Sequence, residues 1–181
     1  MALIICEANA QFQQRVEPET MPVKRQPCPN AIVTCMDPWI NVETAGIRPF
    51  NAKGEIQSQV RTIGTLGGMG DSRSLAVGIH LAGFKTVAVI MYTDCGCALA
   101  HQKIDTIIEN MKKSLPAIEW EAVKRLSGES LPENLIEWLH AFQDPHQAVQ
   151  EEVAAITRSP FTPESLAVQG RVYDLASGRL D

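Results

Sequence analysis

Two short segments of this chain put metal-binding residue types at the ends of apolar runs. Ala31-Ile-Val-Thr-Cys-Met-Asp37 closes with a cysteine and a carboxylate. Thr86-Val-Ala-Val-Ile-Met-Tyr-Thr-Asp-Cys-Gly96 closes with a cysteine and a glycine. A thiolate is the form of cysteine that binds metals and attacks electrophiles. Two thiolates joined by a carboxylate or an imidazole make a zinc ligand set. Spacing alone leaves the bland alternative open, because neither Cys35 nor Cys95 lies in a Cys-x-x-Cys knuckle and buried strand-end thiols are often inert.

The elements that would carry these residues are strands. Thr86 to Met91 is a nearly continuous β-branched and apolar run, the pattern of a strand buried on both faces of a parallel sheet. It hands over to a helix at Gly96, whose N-terminal dipole would favour the Cys95 thiolate. Ala31 to Met36 repeats the design. Right-handed crossovers bring all carboxyl ends of a parallel sheet to one edge, and ligands bind there where the strand order reverses. If the two strands are neighbours, Cys35 and Cys95 converge, with Asp37 in reach of the same cavity.

The remaining pattern alternates strands with helices. Leu3 to Val16 reads as a helix and the proline-rich stretch Glu17 to Pro29 as an extended connector. A turn at Asn51 to Gly54 leads into a strand from Gln57 to Ile63, and Asn41 to Ala45 forms a short helical turn. Gly64 to Gly70 is a flexible loop; it lacks the lysine of a phosphate cradle. Helices are expected over Ser72–Ala82, Ala98–Lys113, Pro116–Arg125 and Leu131–Phe142, with another opening at Asp144-Pro145 and ending near Thr157. A strand over Ser165–Tyr173 and a turn at Asp174–Gly178 close the chain. This predicts an α/β fold, a mainly parallel central β-sheet flanked by helices, with a C-terminal strand and hairpin. Residues 1–29 form an N-terminal arm and residues 30–181 a single domain.

Composition narrows the function classes. The 181 residues are 45% hydrophobic with a formal net charge of −5, so the chain can bury a core and has no general attraction to nucleic acid or anionic lipid. No window reaches the roughly 18 apolar residues of a membrane span, and the N-terminus lacks a basic signal region. Five widely spaced cysteines do not form a disulfide framework. A cytoplasmic location in a reducing compartment is expected.

The segments Ala31–Asp37, Val60-Arg-Thr-Ile-Gly64, Arg73-Ser-Leu75 and Thr93-Asp-Cys-Gly96 resemble, in order and spacing, the β-class carbonic anhydrases, above all their small, minimal branch. Gly170 to Leu180 is similar to the family's terminal strand and hairpin, so the resemblance covers the chain from residue 28 onward. It implies a lyase that reversibly hydrates carbon dioxide to bicarbonate by a zinc-bound hydroxide, assisted by an aspartate–arginine dyad. It implies zinc held by two cysteines and a histidine, in a homodimer or higher homo-oligomer with residues 1–29 embracing the partner. Carried onto this chain, the thiolate ligands fall on Cys35 and Cys95, the dyad aspartate on Asp37, and a site-orienting backbone N–H on Gly96. Asp37 can also act as a fourth ligand in such sites.

Two positions depart from the family pattern. Tyr92 replaces the ligand histidine and Trp39 replaces the dyad arginine. A phenol with a reference pKa of about 10 ligates zinc at neutral pH only if the metal lowers that value by about three units, and its charge reduces the metal's Lewis acidity. Trp39 carries no charge to pin Asp37. Cys97 could supply a third thiolate, though residues two apart at a helix start diverge; the plainer reading packs it behind the site. His80 reads as a packing residue and His101 as a surface one, while His140 and His146 fall in the C-terminal helical part without an assigned role. Three functions stay open: a pseudoenzyme-like carbonic anhydrase relative with weak or lost hydration; an active zinc hydro-lyase or hydrolase of carbon dioxide, carbonyl sulfide or a similar small substrate; or a thiol- or metal-based, redox-responsive assembly protein in which Cys35 and Cys95 can form a disulfide.

Overall fold

The computed structural model describes residues 14, 29–40, 60–128 and 130–181. The expected N-terminal helix and most of its connector lie outside the described residues, as do the turns at 41–45 and 51–54 and the start of the second strand. Four parallel strands form the sheet: β1 (Asn30–Cys35), β2 (Val60–Thr65), β3 (Thr86–Tyr92) and β4 (Ala167–Tyr173), in the order β2-β1-β3-β4. The order therefore reverses between β1 and β3, where such sheets open a crevice at their carboxyl ends. Register fixes the two strands that matter: Asn30 lies opposite Thr86 and Thr34 opposite Ile90. The Thr34 hydroxyl donates to the Ile90 carbonyl at 2.9 Å, locking the pair at its upper end.

Alternation along β1 and β3 makes two cores. Ala31, Val33, Val87, Val89 and Met91 face one way and pack with Leu75, Phe84, Val149 and Ile156. Ile32, Ile90 and Tyr92 face the other way and pack with Ile40, Tyr173 and the cysteines 35, 95 and 97. The period of two along a strand places Tyr92 on the cysteine side.

The helices depart from expectation at identifiable places. Helix α1 (Ser72–Val77) is capped by the Asp71 side chain, which accepts from the Ser74 N–H. The expected helix continues instead as a wider π turn over Gly78–Ala82. Gly78 lies against the Phe84 ring, and the Phe84 N–H reaches back to the Gly78 carbonyl at 3.0 Å. Instead of one helix over Ala98–Lys113 there are two, α2 (Gly96–Gln102) and α3 (Ile104–Ser114). Lys103 bends the chain (φ −110°, ψ 23°), yet its N–H still donates to Leu99 and its carbonyl still accepts from Ile107. Helices α4 (Ala117–Ser127), α5 (Glu133–Leu139) and α6 (Pro145–Arg158) follow among the described residues. Helix α5 stops before Phe142 because His140 turns left-handed at φ 51°. Asp144 caps α6 ahead of Pro145, as read from sequence. The C-terminal hairpin is present, with Tyr173 bridged antiparallel to Leu180.

Candidate metal centre

Cys35 is the last residue of β1, and Cys95 follows β3 after a short turn through Thr93 and Asp94. Leu175 donates its N–H to the Thr93 hydroxyl at 3.1 Å, tying that turn to the hairpin. Asp94 adopts φ 59°, which reverses the chain so that Cys95 becomes the N-cap of α2. In that place the Cys95 sulfur accepts from the Cys97 N–H at 3.4 Å. Cys35 Sγ and Cys95 Sγ lie 3.8 Å apart, both buried, at 5% and 1% exposure. A disulfide would hold them at about 2.05 Å, and these cysteines are free thiols. Two thiolates bound to one tetrahedral zinc at about 2.3 Å each stand about 3.8 Å apart. The pair has the spacing of two zinc ligands.

The pair shares one proton. The Cys35 thiol falls from its ordinary 9.0 to about 6, chiefly because Cys95 donates to it, with further help from the Asp37 and Gly67 N–H groups against the cost of burial. Cys95 is pushed up, first by its bond to Cys35 and then by burial. One proton leaves the pair well before the other, and the second ionisation must then occur beside the first thiolate.

Asp37 stands at the mouth of this pair. Its Oδ1 accepts from the Trp39 backbone N–H at 3.1 Å, while the Trp39 side chain is 72% exposed. A residue without a cation thus still holds the carboxylate, but by main chain on one oxygen. Oδ2 lies toward Gly96, where an added Cβ would meet it at 3.5 Å. Tyr92 is fully buried, and no group meets hydrogen-bond geometry at its hydroxyl. Burial first, then a hydrogen-bond-type interaction with the nearby Asp37 carboxylate, then the charge and contact of Cys95 and the charge of Cys35, hold the phenol well above its ordinary range. Tyr92, Asp37, Cys35 and Cys95 therefore lie together at one place. Among the described residues no three His, Cys, Asp or Glu side chains are grouped to hold a metal. What fits zinc is two sulfurs at ligand spacing beside an orphaned buried oxygen.

The other candidates separate from this centre. Cys97 is wholly buried with its thiol toward the His140 carbonyl at 3.7 Å. His101 meets Gln143 at 3.4 Å on a cleft that His140 and Glu152 also line. His80 contacts the Phe161 carbonyl at 2.9 Å, and His146 is exposed near the start of α6. Sequence reading passed over Gly67. An added Cβ there would come within 2.8 Å of Cys97 Sγ, its φ is +65°, and its N–H supports Cys35. The signal was present: its loop follows β2 directly and so must lie on the same sheet edge as Cys35.

No family model matches the chain. A curated Bacillus subtilis protein named "Putative carbonic anhydrase YtiB" is 25% identical over 187 residues, covering 98% of this chain and 92% of its own. The crystal structure of β-carbonic anhydrase isoform I from Trichomonas vaginalis superposes with a TM-score of 0.74 at 22% identity, covering 100% of this chain and 97% of that one. The fold is that of the β-class carbonic anhydrases. It is not confined to one activity, since the apo form of a carbon disulfide hydrolase superposes with a TM-score of 0.61 at 20% identity, covering 98% and 86%. Sequence and fold together relate this chain to the β-carbonic anhydrases.

Proposed function

We propose that this protein is a β-carbonic-anhydrase-like zinc protein whose hydration of carbon dioxide is weak. The observation that carries this reading is Tyr92: a buried phenol without a partner beside two sulfurs at zinc-ligand spacing. Cys35 and Cys95 hold the metal. Zinc in such a site supplies a Lewis acid that brings bound water near neutral pKa. The chain's own contribution is then to orient substrate and move a proton, and here it is diminished. Asp37 accepts a single main-chain hydrogen bond from Trp39, and among the described residues no ion pair clamps it. A bidentate arginine fixes a carboxylate in a plane; one amide leaves it free to swing. The Gly96 backbone forms the first turn of α2 beneath Asp37 and keeps that approach open.

Ile40, Leu66 and Phe142 pack about the cysteines and give the centre an apolar wall suited to a small linear molecule. This wall, with the likeness to a carbon disulfide hydrolase, favours a second reading as a hydrolase of carbonyl sulfide or a related substrate. The working unit in either case is a homodimer or higher homo-oligomer embraced by residues 1–29. Among the described residues no helix is long and apolar enough to cross a membrane; a cytoplasmic site of action completes the proposal. Metal analysis of anaerobically purified protein, joined to carbon dioxide and carbonyl sulfide turnover, tests it. Bound zinc with slow carbon dioxide turnover is expected. Absence of zinc would overturn this reading, and thiols inert to oxidation would remove the redox-responsive assembly role as well.

A further inference from the structure

We infer that Tyr92 is itself a metal ligand, its phenolate completing a Cys35–Cys95–Tyr92 donor set. This rests on the reading that zinc lies between the two sulfurs.

Three observations converge on the phenol. A tetrahedral ion held by two thiolates lacks further donors, and among the described residues no third His, Cys, Asp or Glu side chain is grouped with them. Tyr92 supplies the missing kind of atom, an oxygen buried at 0% exposure that meets no partner in hydrogen-bond geometry, although the Asp37 carboxylate and both sulfurs are close enough to act on it. Buried polar atoms left unpaired are rare and call for a reason, an ion among them. The placement is also rigid. Tyr92 ends β3, held in register opposite Tyr173, and only two residues separate it from Cys95. Its ring packs in the same cluster as both cysteines, so the oxygen cannot be turned to solvent without opening that core.

The binding step balances simply. The phenol O–H bond breaks, an oxygen–zinc bond forms, and the proton leaves to solvent. Two thiolates and a phenolate carry three negative charges, which leaves the ion's surroundings with one net negative charge. The competing role for Tyr92 is outer-sphere, donating its O–H to the Asp37 carboxylate or to a thiolate, which needs no ionisation.

Zinc addition distinguishes the two. The chain has two tyrosines, Tyr92 and Tyr173, and zinc has no absorption of its own. When one equivalent of zinc is added to the reduced, metal-free full chain at neutral pH, the ultraviolet difference spectrum is expected to show one ionised tyrosine. Tyr92→Phe abolishes that signal and Tyr173→Phe keeps it. Zinc affinity of Tyr92→Phe falls by more than the roughly 10–100-fold that loss of an outer-sphere partner costs. Zinc bound by the wild type without ionised tyrosine overturns the inference, whatever the affinity of the variant, and leaves the two-thiolate centre standing. No zinc binding by the wild type overturns both. A melting curve of metal-free Tyr92→Phe shows whether the variant is folded.

Discussion

Cys35 and Cys95 hold their sulfurs 3.8 Å apart, although 59 residues separate them in the chain. Neighbouring parallel strands bring both residues to the same sheet edge, at the reversal of strand order. The N-cap position then turns Cys95 back toward β1. If this pair holds the metal, Cys35→Ser and Cys95→Ser each lower zinc affinity by more than about 100-fold, exceeding the loss of an outer-sphere partner. Competition with a chromophoric chelator measures this. Retention of affinity within tenfold by either variant would remove the pair as the binding site.

The orphaned Tyr92 hydroxyl has a cost in the metal-free protein. Leaving a buried polar group unpaired costs about 1–3 kcal/mol. Tyr92→Phe keeps the ring and removes the oxygen, so metal-free Tyr92→Phe should be more stable by about that amount in urea unfolding. A loss of stability would show that the hydroxyl is bonded after all.

The thiol pair makes metal-free stability depend on pH. Cys35 falls to about 6 against an ordinary 9.0 and Cys95 is raised. Between those values the folded pair carries one proton while the unfolded chain carries two, so stability rises with pH from 6 toward 9. Above 9 the unfolded thiols ionise while Cys95 keeps its proton, and stability falls again. Denaturant unfolding across this range should show the rising limb in wild type and its absence in Cys35→Ser. Identical profiles would contradict the shared-proton account.

Gly67 is the position where backbone and site meet most tightly. An added Cβ would crowd Cys97 Sγ at 2.8 Å and Phe142 at 3.0 Å, at φ +65°. Overpacking costs about 1–3 kcal/mol, and left-handed backbone adds roughly 1 kcal/mol for a residue with a side chain. Gly67→Ala should therefore destabilise by about 2–4 kcal/mol and weaken zinc binding, through the N–H that supports Cys35. Thermal melts and the chelator assay read the two effects separately.

The site was legible in the sequence to the extent that strand ends determine it. Apolar runs ending in Cys35 and Tyr92-Thr-Asp-Cys95 suffice to place both thiols on one edge, because parallel topology leaves no other arrangement. What the sequence could not reveal depends on local geometry. The wide separation of the pair's two ionisations follows from their mutual hydrogen bond, which no spacing encodes. Asp37 is held by the amide of Trp39, a group every residue but proline has, so the side chain at position 39 gave no sign of that contact. The π turn at Gly78 and the bend at Lys103 arise from packing and backbone angles that keep hydrogen bonds while breaking helical regularity, and periodicity is blind to both.

Carbon dioxide hydration by zinc-loaded wild type and by the Tyr92→His, Trp39→Arg double variant, compared in one stopped-flow experiment, tests the account most directly. The wild type should be slow, and the double variant faster by about tenfold or more, the order of effect of reworking a metal's ligand environment. Fast hydration by the wild type at full zinc occupancy would contradict the claim that Tyr92 and Trp39 limit this centre, and so would an unchanged rate in the double variant.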